Sequence, residues 1–373
     1  MLRSALAALT VGAVLLGCSG GDTSAGSAAG DGDPPAPATE TAEVFDFAGA
    51  GTPGCAIGVD EGGRVTYAKG FGEADLAAGT PISDSTLFDI ASLSKQMTAA
   101  AILLLSDEGL VDLGADIHTY LPALPGYGMT VTVQNLIDHT SGLPEYIDGL
   151  TAEGFELEEV TTDEDALAWL AEQPELEFEP GTSFSYSDTG YFLLSQIVES
   201  VTGMTLANYA EEQIFEPLGM DDTFYRDNRA TPVPGLALGY EEVEPGVWEV
   251  AMSEWEQVGD GAVNTNVTDL LRWSDALMGV VVTDNGIGSA RWREQMFREG
   301  TLADGSPTGY AAGLIVEGEG DELIVAHDGS WLGYSSSLLV APAQELAVVV
   351  LCNIDEAFTD GFASAVFDLW QGD

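Results

Sequence analysis

Cations are scarce in this chain of 373 residues. Two lysines and eight arginines oppose 62 aspartates and glutamates, giving a formal net charge of −52. A field of that sign repels phosphate groups, so the composition excludes nucleic acid as a partner. Charged residues make up only 19 % of the chain, so the negative excess comes from missing cations rather than from crowded carboxylates. We expect either a salty habitat, where salt screens the repulsion, or an acidic surface that serves solubility.

Cysteine and histidine are also rare, with three residues of each. The histidines are dispersed, and the sequence contains no Cys-x-x-Cys or His-x-x-x-His pair that would indicate a zinc site. Carboxylates are so numerous that a local cluster of them carries little information about calcium. We therefore expect no metal and no cofactor.

No apolar run is long enough to span a bilayer. The longest extends from Ala5 to Leu16, about the length of a signal-peptide core, and is preceded by Arg3. It ends in Leu15-Leu16-Gly17-Cys18, which resembles the lipobox of bacterial lipoproteins and implies lipidation of Cys18. Leu16 stands where that pattern more often has a smaller residue, so an ordinary secretory signal stays open.

The residues after Cys18 have the composition of a linker. Gly, Ser, Ala, Asp, Thr and Pro dominate 19–40, which cannot bury enough apolar surface to fold alone. We expect a signal peptide at 1–17 and a lipidated tether at 18–42. The protein is then exported and anchored by its lipid to a bacterial membrane, facing the periplasm or the exterior, or else it is secreted. The oligomeric state is not predicted.

The two remaining cysteines lie at the ends of two apparent strands. Cys55 opens one strand and Cys352 closes another. If these strands pair in antiparallel fashion, the start of one meets the end of the other and the two sulfurs become neighbours. A disulfide and two buried free thiols are the two alternatives.

Strand patterns occur near both ends of the chain and helical patterns in its middle. A hairpin pattern covers 54–71. The C-terminal part has four strand patterns, at 311–317, 322–327, 334–341 and 346–353, and then an amphipathic helix at 355–370. The sequence predicts an α+β fold with an antiparallel sheet formed from the N- and C-terminal segments and flanked by helices. The sheet region is expected at about 43–115 and 276–373, and a mostly helical insertion at about 116–275.

An apolar helix predicted over 90–108 carries the first candidate catalytic pair. Ser92 and Lys95 are three residues apart near its start, so their side chains lie one turn apart on the same side. The helix dipole favours an alkoxide on Ser92, and burial favours a neutral amine on Lys95 that accepts the proton. The alternative is a lysine that extends to solvent.

Several segments resemble the serine β-lactamase and penicillin-recognising family, on the branch of class C β-lactamases, D-alanyl-D-alanine carboxypeptidases and related esterases. The first motif is matched by 88–98, which contains Ser92 and Lys95. Further matches follow in the family's order, at 136–144, 179–182, 217–220 and 259–262. The resemblance runs from about residue 43 to 371 and implies a β-lactamase/transpeptidase-like fold, with one serine hydrolase domain at 43–373.

The resemblance implies that Tyr186-Ser187-Asp188 is the second motif, for which the family pattern is Tyr-x-Asn. Tyr186 then shuttles a proton between nucleophile and leaving group. Asp188 departs from the pattern, because an ionised carboxylate only accepts hydrogen bonds and keeps Lys95 protonated, which leaves Tyr186 as the better base. The alternatives are a core phenol at Tyr186 and a helix N-cap at Asp188.

The third motif is then His327-Asp328-Gly329, where class C β-lactamases have Lys-Thr-Gly. The backbone N–H groups of Ser92 and Ser330 would form the oxyanion hole. Gly329 would let substrate approach the backbone, and a neutral His327 would hold a substrate carboxylate less firmly than lysine does. His327 could instead be a strand-end histidine without a role.

Together these features predict a serine hydrolase that forms an acyl-enzyme. The expected substrate is an ester, a D-amino-acid peptide or a β-lactam, in that order, because a neutral His327 and an acidic surface disfavour anions. The rival interpretations are a penicillin-binding sensor that acylates without turnover and a non-catalytic binding lipoprotein of the same fold.

Overall fold

The computed structural model describes residues 36–355 and 359–371. The predicted signal peptide, Cys18 and the tether up to residue 35 lie outside the described residues. The strands are β1 Cys55–Glu61, β2 Val65–Phe71, β3 Glu73–Asp75, β4 Thr80–Pro81, β5 Phe88–Asp89, β6 Phe224–Tyr225, β7 Tyr240–Glu244, β8 Val247–Val250, β9 Val263–Thr265, β10 Ile315–Glu317, β11 Ile324–Trp331, β12 Tyr334–Ala341 and β13 Leu346–Cys352. The α-helices are α1 Ala36–Val44, α2 Lys95–Asp107, α3 Val133–Ile137, α4 Tyr146–Glu153, α5 Asp163–Ala171, α6 Asp188–Thr202, α7 Leu206–Ala210, α8 Glu216–Leu218, α9 Val267–Met278, α10 Ala290–Met296 and α11 Thr359–Trp370.

A six-stranded antiparallel sheet is built from both ends of the chain, in the order β10-β11-β12-β13-β1-β2. This confirms the predicted α+β architecture. Between β2 and β10 lie helices α2 to α10, joined by long loops, and the small sheet β5-β9-β6. No helix within 36–355 and 359–371 is both long and apolar enough to cross a membrane.

The central strand β13 is buried on both faces, and its side chains alternate between two cores because successive residues of a strand point in opposite directions. Leu346, Val348 and Val350 pack in the cluster that includes residues of α11. Ala347, Val349 and Leu351 belong to the main core, which contains α2 and α9. The sheet thus lies between α11 on one face and the helical region on the other.

The strand predicted at 311–317 is shorter in the structure, since β10 begins only at Ile315. The cause lies at Gly313, which has φ +74° and backs onto α2, where an added Cβ would lie 2.5 Å from the backbone nitrogen of Gln96. The chain must turn there, and only glycine fits. Conversely, β11 continues to Trp331, beyond the predicted end at 327.

The predicted tether ends at residue 42, whereas α1 places 36–44 in the folded part. Packing fixes the end of α1. Phe45 is fully buried, and the centre of its ring lies 5.3 Å from that of Phe71 and 5.2 Å from that of Phe362. Trp370 also donates a hydrogen bond to Thr41 Oγ1 at 2.9 Å. Composition missed this helix because its stability comes from contacts with α11 rather than from an apolar run of its own.

Cys55 and Cys352 face each other across β1 and β13 and form a disulfide with an S–S distance of 2.04 Å. Both cysteines are buried. The structure thus contains the first of the two alternatives that the sequence leaves open.

Candidate active site

Ser92 lies in a 3₁₀ turn, Ala91–Ser94, that leads directly into α2. Ala91 has φ +49°, a strained conformation for a residue with a side chain. Two side chains hold the turn in place: Asp89 Oδ1 accepts a hydrogen bond from Ala91 N at 2.9 Å, and Ser336 Oγ donates one to Ile90 O at 2.7 Å. Ser92 is therefore presented by a rigid backbone.

Lys95 is fully buried and all three of its ammonium protons have an acceptor. Nζ donates to Ser92 Oγ at 3.1 Å, to Asp188 Oδ1 at 2.7 Å and to the Asp260 carbonyl oxygen at 2.6 Å. Burial by itself lowers the pKa of Lys95, but the negative charge of Asp188, together with the smaller effects of Tyr186 and Asp260, outweighs burial and raises that pKa above its usual value. At neutral pH Lys95 is thus an ammonium ion, as the carboxylate at Asp188 predicts, and not the neutral amine that burial alone would favour.

Asp188 is the first residue of α6, and its side chain is 30 % exposed. The helix is capped by Ser187, whose side chain accepts a hydrogen bond from Gly190 N, so Asp188 is not the N-cap. Glu145 accepts a hydrogen bond from Asp188 N at 2.9 Å. Burial, and then the nearby charge of Asp188, raise the pKa of Glu145. The carboxylate of Asp188 therefore forms its ion pair with Lys95, while Glu145 favours its protonated form.

Tyr186 lies over the lysine, with Lys95 Nζ 4.9 Å from the centre of its ring. The Tyr186 hydroxyl oxygen is enclosed and makes no hydrogen bond of ordinary geometry among the described residues, but Lys95 and Ser92 lie close enough to it to act on its pKa. Burial raises the pKa of Tyr186, and the proximity of Lys95 offsets only part of that effect. Tyr186 is consequently a neutral phenol whose proton is available for transfer.

His139 packs against Tyr186 and forms a hydrogen bond to the backbone next to it. Its ring centre lies 4.3 Å from that of Tyr186, and its Nδ1 accepts a hydrogen bond from Ser187 N at 2.9 Å. Burial, followed by the charge of Lys95, lowers the pKa of His139 well below its usual value. His139 is thus a neutral positioning residue.

The sequence predicts that His327 and Gly329 bind substrate, but the structure does not place them at the substrate-binding position. His327 is buried, its Nε2 lies 2.9 Å from Tyr310 Oη, and burial lowers its pKa to about 3. A Cβ on Gly329 would lie 2.3 Å from Ile90 O, so this glycine accommodates the nucleophile's turn rather than a substrate. Because side chains alternate along β11, these two residues face inward whereas Ser330 is exposed.

A pocket of about 70 Å³ opens beside the nucleophile. Its walls include Ser92, Asp188, Arg229, Trp255, Ser330 and Trp331. Ser92 and Ser330 thus line one cavity, as an oxyanion hole between them requires. His327, Gly329 and Tyr186 are not part of this wall.

Sequence reasoning missed three side chains that shape the site. Tyr146 Oη donates to Asp260 Oδ2 at 2.7 Å, and Asp260 in turn holds Lys95 through its carbonyl oxygen. Asp260 lies inside the matched segment 259–262, and Tyr146 follows closely after the segment 136–144. The sequence therefore draws attention to these two positions but does not indicate what the residues do. Arg229 lies outside all matched segments. No cluster of three or more His, Cys, Asp or Glu in the described residues could hold a metal ion.

The chain is similar in sequence to several known proteins. It is 31 % identical over 310 residues to penicillin-binding protein 4* of Bacillus subtilis, covering 79 % of this chain and 67 % of that protein. It is 29 % identical over 315 residues to a D-aminopeptidase of Cereibacter sphaeroides, covering 84 % of this chain and 59 % of that protein. The chain thus spans about three fifths to two thirds of the length of these curated relatives.

The fold is similar to that of the octameric penicillin-binding protein homologue from Pyrococcus abyssi. That structure aligns with a TM-score of 0.76 at 28 % identity, covering 89 % of this chain and 75 % of the other. A family model described as beta-lactamase matches residues 41–368, which include the turn of Ser92 and both ends of the sheet. This match and the Ser92–Lys95 contact show that this chain belongs to the beta-lactamase family.

Proposed function

We propose that this chain hydrolyses an ester or an amide through an acyl-enzyme on Ser92. The observation that carries the proposal is the 3.1 Å contact between Lys95 Nζ and Ser92 Oγ at the wall of an open pocket. A buried lysine beside a serine in a rigid, strained turn is costly to maintain and serves nucleophilic catalysis. The names of the relatives, a D-aminopeptidase and a penicillin-binding protein, support D-amino-acid peptides or amides as substrates beside simple esters.

In the proposed acylation, Ser92 Oγ forms a bond to the substrate carbonyl carbon. The carbonyl oxygen becomes an oxyanion that accepts hydrogen bonds from the backbone N–H groups of Ser92 and Ser330. Tyr186 takes the proton of Ser92 while it passes its own proton to the leaving alcohol or amine, so it remains a neutral phenol throughout. The C–O or C–N bond then breaks, and water releases the acyl group by the reverse proton path.

Lys95 supports this chemistry as a cation. Its ammonium stabilises negative charge that develops on Ser92 Oγ, and its bonds to Asp188 and Asp260 fix it in place. Because all three protons are committed, Lys95 cannot accept the proton of Ser92 unless Asp188 first takes one from it.

The same feature favours the penicillin-binding sensor as the second candidate. Deacylation needs a base that activates water, and here the lysine is held as an ammonium ion by Asp188. A site of this kind can acylate and then release its acyl group slowly. The two candidates differ in turnover and not in the residue that is labelled.

One experiment separates these functions from a non-catalytic binding role. The protein is treated with a fluorophosphonate and, separately, with a labelled penicillin, and the adduct is mapped while hydrolysis of p-nitrophenyl esters and D-alanine p-nitroanilide is followed. Turnover with labelling at Ser92 supports the hydrolase, and a stable penicillin adduct without turnover supports the sensor. No label on Ser92 contradicts both. Ser92→Ala should abolish labelling, while Ser85→Ala, at an exposed serine, should not.

We further propose that the chain is exported and anchored through a lipid on Cys18. The support is the lipobox-like end of the apolar run at residues 15–18. Expression of the full chain in a bacterium, followed by detergent-phase partition, tests this. Wild type should enter the detergent phase and Cys18→Ser should not, whereas equal partition of both would contradict lipidation.

A further inference from the structure

Arg229 is a second cation at the substrate pocket, and nothing in the proposed chemistry uses it. The chain has only ten basic residues, and Arg229 lies at the wall of the pocket that also contains Ser92. Its side chain is only 5 % exposed. Placing a guanidinium in a largely buried position is costly unless its charge and donors are used.

Two contacts hold the guanidinium in a fixed orientation. Nε donates to the Trp255 carbonyl oxygen at 2.9 Å, and Nη1 donates to Asp89 Oδ2 at 3.3 Å. Nη2 donates to no described residue. The side chain is thus immobilised with one terminal nitrogen left over, as a preorganised ligand donor should be.

Two neighbouring polar side chains of the pocket already use their donors within the protein. Tyr146 Oη donates to Asp260. The side-chain amide of Gln257 is satisfied on both atoms, since its oxygen accepts from Thr161 and its nitrogen donates to the Thr162 carbonyl oxygen. Arg229 therefore provides the cationic donor that a bound molecule would meet.

The surroundings of Arg229 are aromatic. Trp255 and Trp331 both line the pocket, with their ring centres 6.3 Å apart. A planar guanidinium beside apolar walls suits a carboxylate, which it can bind through charge-assisted hydrogen bonds in a setting of low dielectric. The carbon skeleton next to that carboxylate would then pack against the indole rings.

We propose that Arg229 is a specificity-determining residue that binds a carboxylate of the substrate. This inference rests on the proposed hydrolysis at Ser92, and it reverses the expectation that the site prefers neutral substrates. That expectation came from a neutral His327 and an acidic surface, but His327 does not line the pocket and Arg229 does.

Two matched substrate pairs test the proposal. The first is p-nitrophenyl hydrogen glutarate against p-nitrophenyl methyl glutarate, which differ by a carboxylate on the acyl side. The second is 3-acetoxybenzoate against its methyl ester, which differ by a carboxylate on the leaving group. The readout is the ratio of kcat/KM within a pair, because damage to the chemical step cancels from that ratio.

The variants are Arg229→Gln and Asp89→Asn/Arg229→Gln. The double variant is needed because Asp89 also holds the nucleophile's turn through Ala91 N, and a lone Arg229→Gln leaves a buried carboxylate unpaired. Arg291→Gln is the matched control, since it removes the same charge from a side chain that is 74 % exposed.

Wild type and Arg291→Gln should prefer the carboxylate member of at least one pair by about tenfold or more, as expected for hydrogen bonds to a charged group. Both Arg229 variants should lose this preference. Hydrolysis of the neutral members without any carboxylate preference, or a preference that survives in both variants, overturns the inference alone. No hydrolysis of any member and no adduct on Ser92 overturns the proposed function, and the inference with it.

Discussion

Tyr186 carries a hydroxyl group that is enclosed by protein and makes no hydrogen bond of ordinary geometry among the described residues. An unpaired buried hydroxyl destabilises a folded protein, so its retention requires another reason. Under the proposed function, transfer of its proton in the chemical step is that reason, and it separates the effect of Tyr186 on activity from its effect on stability.

Tyr186→Phe should therefore lower kcat by about 100- to 10,000-fold, the usual contribution of general acid–base catalysis. The melting temperature should stay the same or rise, because the variant removes an unsatisfied polar group. Steady-state kinetics and calorimetry measure the two effects. Tyr209→Phe is the control, since Tyr209 Oη is also unpartnered but Tyr209, unlike Tyr186, does not lie against Lys95, so this variant should leave kcat unchanged while its melting temperature stays the same or rises. Activity near that of wild type in Tyr186→Phe would contradict the shuttle.

Asp188 controls the protonation of the lysine. In wild type, the charge of Asp188 is the largest of the effects that together overcome burial and raise the pKa of Lys95. In Asp188→Asn burial acts without that opposing charge, so the pKa of Lys95 falls and the free amine forms at lower pH. Because Lys95 acts as a cation, activity falls where the ammonium is lost, so the falling limb of the kcat/KM profile should move to lower pH by about 1 to 3 units, the usual effect of a close opposite charge. An unchanged profile would show that the carboxylate does not matter.

At this scale, sequence reasoning reaches the residues that lie in short motifs. Ser92, Lys95, Tyr186 and Asp188 each belong to one, and the structure brings all four together. Arg229 could not be found in this way, because its partner Asp89 lies 140 positions away. The role of Gly329 was also hidden, since a close approach between two backbones leaves no local pattern in the sequence.

Strand β11 and the turn of Ser92 depend on each other through close backbone packing. A Cβ at position 329 would lie 2.3 Å from Ile90 O and 3.1 Å from Ala91 Cβ. The separation between the strand and the turn also sets the distance between Ser330 and Ser92, and so the shape of the oxyanion hole.

Gly329→Ala should push the strand and the turn apart and destabilise the protein by about 1 to 3 kcal/mol, as overpacked sites do. Activity should fall even at temperatures where the variant is folded, which circular dichroism and ester hydrolysis together measure. Gly361→Ala in α11 is the matched control, since an added Cβ there meets nothing within 4 Å. Full activity in folded Gly329→Ala would contradict this account.

The existence of most elements was predictable, whereas several of their ends were not. Strand β13 and helix α2 were predictable because each is an apolar run that is buried over many successive residues. The start of β10 depends instead on contact between Gly313 and α2, and α1 depends on packing around Phe45. Contacts of this kind involve segments far apart in the chain, so a local pattern does not contain them.

The whole molecule carries many carboxylates and few cations to pair with them. The described residues contain ion pairs at Lys95, His118, Arg229 and Arg291. Most of the 62 acidic residues therefore have no cationic partner. Their mutual repulsion is screened by salt.

The melting temperature should rise as salt increases from millimolar to molar concentrations. Differential scanning calorimetry in sodium or potassium chloride measures this, with both salts used so that a specific ion effect is recognised. A melting temperature that is independent of salt would favour solubility as the only role of the acidic surface.

Stability should also rise as the pH falls from 8 to about 5. Burial, and then the charge of Asp60, raise the pKa of Asp275 to about 7, and burial raises that of Asp163 to about 6. Both groups bind protons more tightly in the folded state, so the stabilisation present at lower pH is lost as the pH rises through these values. Urea unfolding at several pH values checks the slope, which should decrease in Asp275→Asn. A slope of opposite sign would contradict this assignment.

The disulfide joins positions that are 297 residues apart, and β1 has its hydrogen-bonding partner β13 only at the far end of the chain. During synthesis, the first strand must consequently wait for nearly all later residues before its sheet can close. Contacts between such remote segments slow the search for the native topology. Because Ser336 of β12 holds the turn of Ser92, this turn reaches its final geometry only after the C-terminal strands have been added.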